Sequence, residues 1–136
     1  MKSRYIPDIR NIGAIKQGVT TLIIILLITI CCAIIGLKSI VMWNLIYLPL
    51  FLFCVYNPVL GGFQQNFILY LVQSVAIFIL LMIFAYFLGN LIATTSYNNT
   101  PELHTMTILM VLFYFMFQLI CVVFRGVIKL LHEIDE

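Results

Sequence analysis

Histidine and acidic side chains occur together at only two places in the sequence. Glu102 and His104 share one polar stretch, and His132 lies beside Glu133 and Asp135 near the carboxyl end. His132 and Asp135 lie three residues apart, on one possible helix face, but two residues do not make a metal site. Because a zinc site usually takes three or four protein ligands, the sequence predicts solvated polar ends, with no metal site and no cofactor.

The long apolar middle of the chain lacks the groups that membrane chemistry uses. Between Gly18 and Phe124 the formal charges are Lys38 and Glu102, and neither lies inside an apolar run long enough to span a membrane. Proton-coupled transporters and ion pumps normally need an ionisable group within the membrane. The paired Ser and His of an intramembrane serine protease are also absent. We therefore expect a protein that is not an enzyme.

Two glutamines interrupt the third and fourth apolar runs. Gln73 and Gln118 each lie six residues from one end of their run, counted from Phe67 and Phe124 respectively. Antiparallel helices would place the two amides at the same depth. Since an unpaired amide in hydrocarbon is costly, we expect them to bond each other within a subunit or to form rings between subunits. A polar pathway or a substrate contact is the alternative.

The second apolar run carries Asn44 five residues before Pro49. A proline inside a helix cannot donate a backbone hydrogen bond and crowds the carbonyl four residues earlier. We expect a kink that leaves the carbonyl of Leu45 available, and a gating hinge is the alternative interpretation.

Small residues at four-residue spacing let membrane helices approach closely. This spacing occurs twice and predicts two helix-packing faces, one at Cys32 and Gly36 and one at Ala85, Gly89 and Ala93. The four cysteines of the chain all lie in or beside apolar runs and are expected to act as small hydrophobic residues.

Composition predicts the elements that hold these residues. The chain has 136 residues, 64% apolar and 9% charged, against about 25% charged residues in soluble proteins. A transmembrane helix needs about 20 apolar residues. We predict an all-α integral membrane protein, an antiparallel four-transmembrane-helix bundle forming one domain over 19–124, with spans at about 19–35, 39–56, 67–88 and 106–124. The predicted turns are 36–39 and 57–66, and 94–105 is a polar outer stretch.

The segments outside the bundle carry most of the charge. Within 1–18, Ile6, Ile9, Ile12 and Ile15 recur among charged residues, which predicts an amphipathic helix lying in the membrane interface. A loosely ordered tail is the alternative. Residues 125–136 form a short tail. Six of the seven basic residues lie outside the apolar middle, so both termini are predicted to be cytoplasmic, and residue usage favours a bacterial inner membrane.

Three functions fit this pattern. The first is a non-catalytic, self-associating membrane subunit, anchor or sensor, a dimer to tetramer in the lipid bilayer, that presents its cytoplasmic face to a soluble protein. A small bacterial defence or immunity protein and an oligomeric channel or small-solute transporter are the alternatives. The net charge of +2 is too small to indicate nucleic-acid binding. The candidate partner-binding residues are Gly61, Gly62, Gln64, Gln65, Arg125, Lys129, Glu133, Asp135 and Glu136.

Overall fold

The computed structural model describes residues 13–37, 40–93 and 101–134, with the backbone alone at 129 and 131–134. These residues form α1 (Ala14–Ile35), α2 (Ile40–Gly62), α3 (Phe67–Ile92) and α4 (Pro101–Ile134). All four helices are long and apolar enough to cross a membrane. The prediction of an all-helical chain with four helices able to cross a membrane is therefore confirmed for the described residues. Most of the predicted interfacial helix, together with residues 38–39, 94–100 and the acids Asp135 and Glu136, lies outside the described residues.

The first predicted turn, 36–39, begins at Gly36, which ends α1. Gly36 has a φ of 77°, in the left-handed region that residues with a Cβ rarely adopt. Its amide donates to the carbonyl of Ala33 at 3.3 Å, and the next amide, of Leu37, donates to the carbonyl of Cys32 at 2.9 Å. This pair of bonds is a Schellman motif, which satisfies carbonyls that the end of α1 would otherwise leave unpaired.

The second turn is shorter than predicted. The sequence placed 57–66 in a turn, but α2 continues through Pro49 and Pro58 to Gly62 and leaves a connection of four residues, 63–66. Asn57 is fully buried, and a Cβ on Gly61 would lie 2.6 Å from the Tyr70 ring. These contacts stabilise the helical segment, and Pro58 is accommodated because neighbouring helices can satisfy the backbone groups that a proline frees.

Helix α2 lies at the centre of the packing. It contacts α1, α3 and α4, α1 also packs on α3, and α4 packs chiefly against α2. In an apolar 18-residue stretch of α2, half of the residues are buried. In the corresponding stretch of α4, 17% are buried. The outward faces of α1, α3 and α4 are therefore apolar and open to lipid or to a neighbouring chain.

One of the predicted small-residue faces forms a tight contact. Ala85 is fully buried, Ala93 packs against the core, and the fully buried indole of Trp43 lies directly over Gly89. In contrast, a Cβ on Gly36 would meet nothing within 4 Å. Cys32 is buried, so on this face Gly36 serves the turn and Cys32 the packing.

We expect Gly89→Ala to destabilise the fold by about 1–3 kcal/mol, the usual cost of overpacking, because a methyl group there would overlap the Trp43 indole. Unfolding in mixed detergent and dodecyl sulfate micelles measures the change. Gly126→Ala is the matched control, since a Cβ on that helical glycine meets nothing within 4 Å. Equal stability of the two variants would show that the indole moves aside at no cost.

Candidate functional site

Polar side chains from all four helices meet at one place inside the protein. They are Gln17 on α1, Asn57 on α2, Tyr70 on α3, and Tyr114 and Gln118 on α4, and each is no more than 5% exposed. We call these five residues the polar cluster. Gln17 lies in the first turn of α1, Asn57 in the last turns of α2 and Tyr70 in the first turn of α3, so these three helix ends lie together beside the middle of α4.

Asn57 is the centre of the polar cluster. Its Nδ2 donates to Gln17 Oε1 at 2.8 Å and to the Tyr70 hydroxyl at 3.0 Å. Its Oδ1 accepts from Gln118 Nε2 at 3.3 Å and from the Tyr114 hydroxyl at 3.5 Å. One amide on α2 is therefore hydrogen-bonded to each of the other three helices.

The tyrosines of the polar cluster complete its hydrogen bonding. The Tyr70 hydroxyl lies 2.9 Å from the main-chain carbonyl of Asn57 and 3.0 Å from Gln17 Oε1, so its single proton can serve either acceptor. The Tyr114 hydroxyl accepts from Gln118 Nε2 at 2.9 Å. The ring of Tyr114 stacks on Phe78 of α3 with centroids 4.1 Å apart, so α3 and α4 also touch here.

One buried hydroxyl beside the polar cluster is unsatisfied. Ser74 is fully buried on α3, and among the described residues its Oγ has no hydrogen-bond partner. Nearby, Thr21 donates to the carbonyl of Gln17 at 2.9 Å and bonds the Tyr56 hydroxyl at 2.7 Å. These bonds extend the polar cluster along α1 as far as Thr21. Ser74 is a further buried polar group beside it.

The polar cluster is suited to fixing helix positions. Its side chains are neutral amides and phenols that bond one another, and a polar network of this kind specifies one packing when its members are satisfied. In the part of the chain that the structure describes, no group of three His, Cys, Asp or Glu residues could hold a metal ion.

The structure separates the predicted glutamine pair. Gln118 belongs to the polar cluster, whereas Gln73 is half-buried and lines a different groove with Gln64, Gln65 and Tyr70. No hydrogen bond joins the two amides within the described residues. A ring between subunits stays a prediction.

The predicted hinge region lies away from the polar cluster. Asn44 is exposed and lines an apolar groove between α2 and α4 with Phe51 and Phe113. Pro49 is buried, and α2 continues as a helix on both sides of it.

Arg125 joins α4 to the connection between α2 and α3. Its Nη1 donates to the carbonyls of Gln64 at 2.6 Å and Gly62 at 3.3 Å, and its Nη2 donates to the carbonyl of Gln65 at 3.3 Å. Its guanidinium also lies 4.9 Å from the ring centroid of Phe67, close enough for a cation–π interaction. Three main-chain bonds and one ring thus hold this connection against α4.

The candidate partner-binding residues are partly brought together by these bonds. Gly62, Gln64, Gln65 and Arg125 form one surface, whereas Gly61 packs inward against Tyr70. Lys129 and Glu133 follow Arg125 on the same helix, α4. Asp135 and Glu136 lie outside the described residues.

A groove of about 730 Å³ runs beside Arg125. We call it the inner groove. Polar and main-chain groups at one edge come from Gly62, Gln64, Gln65 and Arg125, and the rest of the lining is mostly apolar. That lining consists of Val59, Phe63, Ile120, Cys121, Phe124 and Ile128.

Comparison with protein-family models, with curated proteins and with solved structures found no match to this chain. Its function is therefore inferred from the polar cluster, the bonds of Arg125 and the surfaces around them.

Proposed function

We propose that this protein is a non-catalytic, self-associating membrane subunit or anchor whose cytoplasmic face docks a soluble protein. The observation that carries the proposal is the set of three bonds from Arg125 to the connection between α2 and α3. A docking surface costs less to bind when it is already ordered. These bonds order the connection and join it to the helix that leads out of the membrane.

The length of α4 supports the same proposal. Its 34 residues span about 50 Å at 1.5 Å per residue, against about 30 Å of hydrocarbon in a bilayer. The long apolar run of α4 ends at Phe124, before Arg125, and the helix continues to Ile134, so in this proposal its last turns project from the membrane as a continuous helix. Lys129 and Glu133 lie on this projection, and Asp135 and Glu136 follow it in the sequence.

Orientation is part of the proposal. The polar cluster joins the start of α1 to the end of α2 and the start of α3, which supports an antiparallel arrangement of these helices. Lys16 precedes Gln17, and Arg125 contacts the connection that follows α2, so both cations belong to one end of the protein. By the positive-inside rule that end is cytoplasmic, in a bacterial inner membrane.

The proposal also includes self-association of the chain. Because α4 packs chiefly against α2 and most of its surface is open, a second copy has an apolar face to bind. The defence or immunity protein and the channel or transporter stay predictions from sequence, since no contact among the described residues favours either.

A pair of reporter fusions tests the orientation. We expect green fluorescent protein at the carboxyl end to fluoresce in bacteria, and alkaline phosphatase at that end to be inactive, because both termini are cytoplasmic. The same phosphatase inserted after Thr100 is expected to be active. Phosphatase activity at the carboxyl end would invert the orientation and place the proposed docking surface outside the cell.

Site-specific photo-crosslinking tests the docking. Leu130 and Leu112 are 61% and 62% exposed and lie eighteen residues apart, five turns of 3.6 residues, on the same face of α4. We expect p-benzoylphenylalanine at 130 to crosslink one soluble protein in intact cells, and the same residue at 112 to give no such product. The captured protein, purified separately, must then bind the purified chain. Equal capture at both positions would contradict docking at the projecting end.

A further inference from the structure

Arg125 retains binding capacity after its contacts within the chain are counted. A guanidinium has five N–H donors, and the three bonds to main-chain carbonyls use two on Nη1 and one on Nη2. The Nε hydrogen and one Nη2 hydrogen are left. The one acidic side chain described, that of Glu102, lies at the other end of α4, about six helical turns away. The positive charge therefore has no carboxylate partner in the described residues.

The inner groove beside this charge has the composition of a lipid site. Phe63 and Phe124 are 63% and 67% exposed, and Val59, Ile120 and Ile128 also present apolar surface to it. Phe124 and Arg125 both line the groove, and they mark the end of the long apolar run of α4. A basic residue at that position is typical of the depth at which headgroups meet acyl chains. One end of the groove is thus cationic and the rest is apolar.

We propose that the inner groove binds one anionic phospholipid of the cytoplasmic leaflet. The lipid phosphate accepts from the remaining N–H groups of Arg125, and an acyl chain lies along Val59, Phe124 and Ile128. Basic pockets between membrane helices on the cytoplasmic side are known to recognise such headgroups. A free anion would leave the apolar walls unused, so the combination fits an amphiphile. The proposal goes beyond docking and does not require a soluble partner.

Native mass spectrometry of the delipidated full-length protein tests the site. Phosphatidylglycerol and phosphatidylcholine with the same acyl chains are added separately, and the population carrying one lipid is measured. We expect about fivefold higher occupancy by phosphatidylglycerol, since one basic residue near the membrane surface contributes about 1 kcal/mol toward an anionic lipid. Arg125→Gln should remove this preference, and Arg125→Lys should keep it.

A second pair of variants tests the groove without changing Arg125. Gly62 lines the groove, and a Cβ there meets nothing within 4 Å, so Gly62→Leu places a side chain in open space and leaves its main-chain carbonyl in place. We expect it to lower the occupancy of both lipids several-fold. Gly126→Leu is the matched control, a helical glycine with equally open space and outside the groove lining.

Four results would overturn the proposal. Equal occupancy by the two lipids would remove the role of the charge. Wild-type binding by the Gly62→Leu variant would remove the role of the groove. Displacement of the lipid by millimolar inorganic phosphate would assign the site to a free anion. A change in oligomer mass rather than in lipid number in the Gly62→Leu variant would make the groove an interface between copies of this chain.

Discussion

Replacing Asn57 with Ala is expected to lower the free energy of unfolding by about 2–4 kcal/mol. The substitution removes four side-chain hydrogen bonds. Hydrogen bonds between membrane helices average only about 0.6 kcal/mol each and reach about 1.7. The larger part of the cost comes from the Tyr114 hydroxyl, whose proton loses its acceptor on Asn57, because an unsatisfied buried group costs about 1–3 kcal/mol. Gln17 and Gln118 each lose one buried partner but keep Tyr70 and Tyr114 respectively.

Asn44→Ala is the matched control for this prediction. Asn44 lies on the same helix but is exposed, so its removal should change stability by less than about 0.5 kcal/mol. Dodecyl sulfate titration of both variants in dodecyl maltoside micelles gives the two values. If the two variants unfold at the same denaturant fraction, the polar cluster does not hold the helices together.

The polar cluster shows where sequence reasoning succeeds in a chain of this kind and where it stops. Four helices follow from apolar run length, and the first predicted turn, 36–39, begins where α1 ends, at Gly36. Asn57 was assigned to a turn because Asn, Pro and paired glycines within six residues are typical of turns. Its burial depends on Gln17 and Tyr70, which lie 40 and 13 residues away, and no local pattern encodes that pairing.

Gln118 illustrates a narrower limit. Its position in the fourth apolar run correctly indicated that the amide needs a partner, since hydrocarbon provides none. The choice of Gln73 as that partner rested on equal depth, which does not fix the direction in which a side chain points. Asn57 and Tyr114 are the partners in the structure. A tyrosine hydroxyl in an apolar run was the missed indication, because a buried tyrosine usually finds a hydrogen-bond partner.

The sequence predicts Arg125 as a surface residue, but it does not predict the hydrogen bonds by which Arg125 holds the connection between α2 and α3. It directly follows the last predicted span, 106–124, a position where a basic residue commonly reaches the membrane surface. Its hydrogen bonds within the chain go to three main-chain carbonyls. Every residue has a main-chain carbonyl, so the sequence does not indicate which carbonyls a guanidinium will bind. The geometry matters because an arginine can reach several acceptors at once and a lysine presents a single point charge.

The second large effect is expected from neutralising the carboxyl-terminal acids. The charges of 125–136 change sign along the chain: Arg125 and Lys129 come first, and Glu133, Asp135 and Glu136 follow. Basic residues are attracted to the anionic cytoplasmic leaflet and acidic residues are repelled by it. In the proposed orientation, this order of charges would hold the acidic tip away from the membrane, where a basic patch on a soluble protein could bind it.

We therefore expect the triple variant Glu133→Gln, Asp135→Asn and Glu136→Gln to lose at least tenfold in affinity for the soluble protein captured at position 130. Complementary charges act strongly at low ionic strength and are screened within about 8 Å at physiological salt, so the loss should be largest in low salt. Surface plasmon resonance on nanodiscs measures the affinity.

Glu102→Gln, which neutralises an acid at the other end of α4, is the control and should bind as the wild type does. If the triple variant binds equally well in low salt, the acidic tip only keeps the tail soluble, and docking must then rest on the connection that Arg125 holds.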